Sequence, residues 1–201
     1  MTSHSILLPE LGAPFEGGRY GGTVRIGVHL FAFAWAPKAL GESRAIWLPE
    51  YTDVPGATSC VDSVANTHAL AEAGSPLAQW ALALDIDGKR DWVVAARDLV
   101  ELGYRHLKPT AQENYCTFRD GDNPSSVPPG YPYTSQAPAQ TSVADFRAGG
   151  PEAFEADHYW ASTQYSESSA WGQDFDYGGQ SSDIECAEAW ARAVRLIQLT
   201  T

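Results

Sequence analysis

Between residues 108 and 140 the chain is poorly suited to regular secondary structure. Pro109, Pro124, Pro128, Pro129, Pro132 and Pro138 interrupt this run, and Asp120-Gly121 and Pro129-Gly130 are turn pairs. Proline lacks the N–H that helix interiors and central strands use, and it restricts the residue before it. A loop this long is uncommon inside a compact domain and usually has a job. Tyr115, Phe118, Tyr131 and Tyr133 give it rings with which to dock onto the body or onto a neighbouring subunit. The regular elements must therefore come from either side of it.

On the N-terminal side, Gly12, Gly17, Gly18, Gly21 and Gly22, with Pro9 and Pro14, predict an extended lead-in. Residues 1–18 are read as an attachment arm and residues 19–201 as a single domain. Residues 23–35, rich in β-branched and aromatic side chains, predict one strand, and 44–48 its return after a turn at 37–43. Residues 61–73 predict a helix with Val61, Val64 and Leu70 near one face, ended by Gly74. Ser75-Pro76 is a cap followed by Pro at the first helical position, opening 77–84. Asp87-Gly88 is a turn pair before a short strand at 91–94, and 96–107 predicts a third helix closed by Pro109. After the loop the pattern turns to β, at 159–164, 170–177 and 190–199, with Gly178-Gly179 as a hairpin turn.

Charge excludes some functions. The formal net charge is −12, from 25 acidic against 13 basic residues, and no basic run occurs. A protein that neutralises phosphates concentrates Lys and Arg on one face, so neither nucleic acid nor an anionic membrane is an expected partner. The acidity reads as solubility, or as complementarity to a cationic patch or divalent metal. No stretch approaches the ~18 apolar residues of a membrane span. Residues 1–12 lack a charged and then apolar leader, so synthesis in a cytoplasm without a secretion signal is expected. The 3 cysteines, Cys60, Cys116 and Cys186, are odd in number with no CxxC pair, and predict buried reduced thiols.

No catalytic signature is present: no GxSxG, HExxH, GxxxxGK[ST] or GxGxxG. His4, His29, His68, His106 and His158 are scattered, without a pair at metal-ligand spacing. The chain is therefore not expected to be an enzyme. Asp120-Gly121-Asp122-Asn123 clusters oxygen ligands as calcium sites do, but the remaining spacing and the distal bidentate Glu are missing. A solvated turn is expected there, with no cofactor and no metal.

The C-terminal third carries an order of residues that is recognisable. It runs Tyr159-Trp160-Ala161-Ser162-Thr163, then Ala170-Trp171, Gln173, Phe175, Gly178 and Gln180, then Arg192-Ala193-Val194-Arg195. This resembles the domain that ends a bacterial collagen-like adhesin, the Lcl C-terminal-type domain, which is also common in phage proteins. Ala161 departs from the family pattern, where Ser is usual. Ala65-Asn66-Thr67, Ala78-Gln79-Trp80-Ala81, Asp91-Trp92 and Arg97-Asp98-Leu99 with Glu101-Leu102 resemble the phage members, although Val93-Val94-Ala95-Ala96 replaces their usual YLPS.

The resemblance covers about residues 18–198 and implies an α+β, C-type-lectin-like fold. Such a domain has a mixed or antiparallel sheet with paired N- and C-terminal strands, two to three helices and long irregular loops. It further implies a phage virion binding module, a receptor-binding or tail-tip adhesin located in the virion tail. The partner would be a host cell-surface receptor such as a polysaccharide or pilus. The arm would join other tail proteins and the assembly would be a homotrimer. The alternative is a structural virion component, in a baseplate or decorating a capsid.

If binding uses the face usual for this fold, its residues lie between Thr163 and Trp190. The candidates are Tyr165, Glu167, Ser169, Asp174, Asp176, Tyr177, Gln180, Ser182, Asp183, Glu185, Glu188 and Trp190. Tyr, Ser and Gly with polar residues are what adaptable binding surfaces use. Trp80, Trp92, Trp160, Trp171 and Phe175 are expected in the core. Arg192, in line with Val194 and Leu196, is expected to form a buried ion pair with an acid from the loops. Asn66 and Asp98 are expected to cap or to serve turns.

Overall fold

A computed structural model describes residues 7–116 and 119–199. The run expected as one strand is a hairpin: β1 (Pro14–Phe15) is followed by β2 (Gly18–Ile26) and β3 (His29–Trp35). Arg25 pairs with Leu30 and Ile26 with His29, so residues 27 and 28 make the turn. Gly27 takes φ +59 there, the left-handed conformation that tight hairpin turns require. Folding back lets Val24 and Phe33 enter the same core, which an unbroken strand would hold far apart.

A single helical turn, α1 (Lys38–Gly41), occupies the expected turn, and β4 (Glu42–Ile46) follows. β4 pairs with the last strand rather than returning along β3. The helices α2 (Ser63–Glu72), α3 (Pro76–Leu82) and α4 (Arg97–Leu107) lie near the positions expected, with β5 (Val93–Val94) before α4. The chain ends in β6 (His158–Ser166), β7 (Ser169–Asp174), β8 (Gln180–Ile184) and β9 (Glu188–Gln198). The main sheet runs β1-β2-β3-β9-β6-β7-β8, and β4 and β5 also pair with β9. Pairing is antiparallel except at β6–β9, where Tyr159 meets Trp190 in parallel. The fold is therefore α+β with an open mixed sheet. The described residues form four α-helices, more than the two or three expected, because α1 adds one.

Helix α4 supplies the centre of the core. Gly103 lets it approach β3 closely: a Cβ there would lie 2.7 Å from Trp35 Cζ2. Phe154 stacks on Phe175 at 4.2 Å and meets the edge of Trp35 at 5.2 Å. A second cluster, including Trp47, Leu70, Leu77 and Trp160, lies beneath α2 and α3. Trp92, Trp160, Trp171 and Phe175 are buried as expected, while Trp80 is only partly so.

Helix α2 corrects the expected face. Ser63, Asn66, Thr67 and Leu70 are buried, whereas Val64 is 42% exposed. The hydroxyls turn inward because they complete backbone hydrogen bonding: Ala96 N–H donates to Ser63 Oγ at 2.8 Å and Val94 N–H to Thr67 Oγ1 at 3.1 Å. Asn66 holds the preceding loop, donating to Ser59 O at 2.7 Å and accepting from Ser59 N–H at 3.1 Å. Asp62 and Ser75 are the caps, accepting from Ala65 N–H and Ala78 N–H. Asp98 does not cap; it is buried against Arg97 at 2.5 Å.

Part of the segment expected as an N-terminal arm packs on the body. From Gly12 the chain is tied to the body, with Gly12 N–H donating to Tyr20 O at 2.8 Å and β1 paired to β2. Phe15 packs edge-on to Tyr20 at 5.4 Å, which gives the segment an anchor despite its glycines. Residues 1–6 lie outside the described residues, as does Phe118 of the proline-rich loop. That loop docks through its polar residues as well as its rings. Tyr133 is buried and donates to Glu101 Oε1 at 2.5 Å, and Asn114 donates to Thr134 O and Pro138 O. The thiols differ from expectation too: all are free, but Cys60 is half-buried while Cys116 and Cys186 are exposed, on chain that leaves the core.

Arg192 makes the expected ion pair. It is buried, donates from Nε to Ala36 O at 2.9 Å and from Nη1 to Glu152 O at 2.8 Å, and pairs with the Glu152 carboxylate. Glu152 comes from the loop before β6, and Glu42 of β4 stands 3.9 Å away. Removing one partner of a buried pair leaves an uncompensated charge. Glu152→Ala is therefore expected to lower unfolding free energy by about 3–5 kcal/mol in urea titration. A loss below ~1 kcal/mol would mean that the junction is not a stabilising tie.

Candidate ligand-binding face

Strands β6, β7 and β8 form a meander at the end of the sheet, with Ser169 opposite Ile184, Trp171 opposite Ser182 and Gln173 opposite Gln180. The turn from β7 to β8 is built by Asp174. Its Oδ1 accepts from Asp176 N–H at 2.7 Å and Tyr177 N–H at 3.1 Å, a local side-chain turn that stops the strand. The alternation expected through residue 177 therefore ends early: Trp171, Gln173 and Phe175 point inward, and Tyr177 is 43% exposed. Gly178 closes the turn at φ +86, and a Cβ there would lie 2.3 Å from the Tyr104 ring.

The candidates do not form one patch. Tyr165, Glu167, Ser169, Ser182 and Asp183 gather around the β6–β7 turn and the facing part of β8, all exposed except half-buried Ser169. Asp174, Asp176 and Tyr177 lie at the other end of β7, about 17 Å away at the usual strand rise. Glu188 and Trp190 belong to β9 beside β4. Trp190 is half-buried, stacks on Tyr159 at 6.4 Å, and donates to Asp157 Oδ2 at 3.2 Å. Gln180 and Glu185 are corrected: both are interior. Gln180 N–H donates to Asp120 Oδ1 at 2.9 Å. Glu185 Oε1 accepts from Gln164 Nε2 at 2.8 Å, its carbonyl accepts from Trp47 N–H at 3.0 Å, and burial raises its carboxyl pKa. They hold the meander against the body rather than facing solvent.

At the first end, the Tyr165 ring meets Trp171 edge-on at 5.1 Å and is 56% exposed. At the second, Tyr115 of the proline-rich loop stands perpendicular to Tyr177, with centroids 6.1 Å apart. Tyr115 N–H donates to Tyr177 O at 2.8 Å, which joins the loop to the turn. The two rings line an open hollow of about 430 Å³. The Asp174 charge, then burial, raises the Tyr177 hydroxyl pKa. Tyr115 was legible only as a docking ring, because its exposure depends on where the loop lies.

The turn at Asp120-Gly121-Asp122-Asn123 is not solvated as expected. Asp120 and Asn123 are buried, and Asn123 donates to Asp98 O at 2.8 Å and to Glu101 Oε2 at 2.5 Å. Asp122 alone of the group faces outward as an acid, paired with Arg119 at 2.9 Å. Among the described residues no group of His, Cys, Asp or Glu is arranged to hold a metal ion. No helix among them is long and apolar enough to cross a membrane.

His158, at the start of β6, lies against Gly172 and meets Trp160 edge-on at 5.5 Å. Its Nε2 is buried with no hydrogen-bond partner, and burial lowers its pKa below the ordinary 6.5, opposed by Asp183, Asp174 and Asp157. Below about pH 6.5 the unfolded chain thus binds a proton that the folded chain refuses. This site's contribution is expected to fall as pH drops through that value and to level off below the folded pKa. The stability of the wild type minus that of His158→Asn should therefore decrease between about pH 7.5 and pH 5 in parallel urea titrations. A pH-independent difference would show that the ring takes up a proton as readily in the folded state. His106 and the raised carboxyls of Glu42, Asp98 and Glu185 also titrate, but they are common to both proteins and cancel.

No protein-family model matches this chain, and no curated protein matches it.

Proposed function

We propose that this chain is a non-enzymatic binding module of C-type-lectin-like fold, serving as a phage receptor-binding or tail-tip protein. Its target would be a host surface structure, a polysaccharide or pilus, met through the outward side of the C-terminal meander. The observation that carries the reading is the state of three tyrosines. Tyr115, Tyr165 and Tyr177 are 63%, 56% and 43% exposed, and each is already seated edge-on against another ring. Tyrosine offers large contact area with few torsions, and seating the ring in advance lowers the ordering cost of binding. Ser182, Asp183, Glu167 and Asp176 supply adaptable polar contacts around them.

The fold assignment draws support from the pairing of β3 with β9, which brings the N- and C-terminal strands together, and from the long docked loop. The motif residues Trp160, Trp171, Phe175 and Arg192 are interior, which makes the motif a description of the scaffold. The side chains that vary in use would then be the exposed ones between them. A fold hosts many functions, so the binding role rests on the surface and not on the motif.

The test is binding of labelled protein to intact candidate host cells, with and without EDTA. Saturable binding is expected, weakened about tenfold or more in Tyr165→Ala/Tyr177→Ala if these rings are anchors. Trp190 is left intact because it packs on Tyr159. Equal binding by the folded double variant would remove the meander from the interface. Absence of binding by folded wild type to every strain would favour a structural virion role instead.

A further inference from the structure

The corner between Tyr115 and Tyr177 has a chemistry more specific than an exposed aromatic pair. The rings are perpendicular, at 88°, so they stand as two walls of a box rather than as a flat shelf. The backbone behind the corner is tied at several points. The backbone bond from Tyr115 to Tyr177 joins its walls, and Asp174 pins the turn through Asp176 N–H and Tyr177 N–H. Thr110 Oγ1 adds a bond to Asp176 O at 3.4 Å.

Two acids belong to the turn that carries Tyr177: Asp174, whose Oδ1 accepts from Asp176 N–H and Tyr177 N–H, and Asp176 itself. Asp174 and Asp176 both raise the hydroxyl pKa of Tyr177, and both also contribute to raising that of Tyr104 beneath, after burial. Lys108 is nearby in the fold but is 2% exposed, and its ammonium is taken by Gln112 O, Asn114 Oδ1 and Pro138 O. It sits under the floor, over the Tyr104 ring at 5.6 Å. An aromatic face presents negative charge to whatever packs on it, and carboxylates nearby add to that.

Several other rings of this protein already carry one of its own cations. Arg44 lies over Trp190, Arg97 and Arg119 over Trp171, Arg195 over Trp92, and Arg105 over both Tyr131 and Tyr133, at 4.3–5.7 Å. Among the described residues no cation of the chain lies over Tyr115 or Tyr177. We propose that this corner is a subsite for an ammonium group, free or methylated, carried by the ligand, with Tyr115 and Tyr177 as walls and Asp176 as the counter-charge. Asp174, bonded to the Asp176 and Tyr177 N–H groups, and Asp176 lie on the turn behind these rings, so a cation is favoured there over an anion. The inference stands apart from the virion reading, since the isolated chain binds a small ammonium compound whether or not a host cell is its target.

The experiment titrates the purified full chain with choline, followed by NMR of the tyrosine ring resonances. The control ligand is 3,3-dimethylbutan-1-ol, which has the same shape with carbon in place of the charged nitrogen. Choline is expected to shift the Tyr115 and Tyr177 resonances saturably, with the neutral analogue weaker by about tenfold. Tyr177→Leu should weaken choline by a similar factor, Tyr177→Phe should restore most of it, and Asp176→Asn should weaken it several-fold in a salt-dependent way. Tyr115→Leu serves if Tyr177→Leu does not fold. Equal binding of the two compounds would reduce the corner to an apolar hollow and overturn the proposal. So would choline shifts that persist in the leucine variants, or no saturable shift at all. Choline binding without any binding to cells would leave this subsite standing while removing the receptor reading.

Discussion

Strand β9 depends on one buried cation. Arg192 sits in the strand's middle and reaches the end of β3 through Ala36 O, the loop before β6 through Glu152, and β4 through Glu42. A buried ion pair does not by itself stabilise a fold, because desolvation offsets much of the attraction. What it does here is fix the path of a loop. With Glu152 held, Phe154 lies under the Arg192 guanidinium at 5.0 Å and stacks on Phe175. Phe175 N–H in turn donates to Asp157 O at 3.0 Å, so the turn bearing Tyr177 is positioned from the core outward.

The proline-rich loop solves a related problem without a ladder of its own. Buried backbone groups must find partners, and a segment that forms neither helix nor extended sheet has to borrow them. Asn114 and Asn123 lend side-chain amides to Thr134 O, Pro138 O and Asp98 O, and Ser125 O accepts from Arg25 N–H at 2.8 Å along the flank of β2. Tyr133 and Glu101 close the contact in the interior. The loop becomes a wall of the domain, and its outer part carries Tyr115 to the edge of the meander.

The exposed face reuses the physics of the core. Rings that meet edge-on inside, as Trp35 does Phe154, meet edge-on outside at Tyr165 and Trp171. Such contacts are directional, so an edge-on neighbour favours one orientation of an exposed ring. Two ends of one short strand thereby display different chemistry: a Ser- and Tyr-rich turn at one end and an acidic aromatic corner at the other.

Much of the scaffold was legible because it follows local rules. The Ser75-Pro76 cap, the α4 periodicity and the burial of Trp92, Trp160, Trp171 and Phe175 come from side-chain chemistry and spacing that act within a few residues. The loop acid paired with Arg192 was legible as a type, since a buried guanidinium requires a partner. The hairpin at Gly27, the inward polar face of α2 and the docking of β1 were not, because each is decided by what a distant segment offers: Phe33 sharing a core with Val24, Val94 and Ala96 needing acceptors, Tyr20 meeting Phe15. The site divides in the same way. Sequence alone determined that the C-terminal stretch would mix Tyr, Ser and acids between core aromatics. Only the tertiary structure decided that Gln180 and Glu185 turn inward, and that Tyr115, sixty-odd residues away along the chain, stands beside Tyr177, because a side chain's exposure depends on packing between segments and not on its neighbours in sequence.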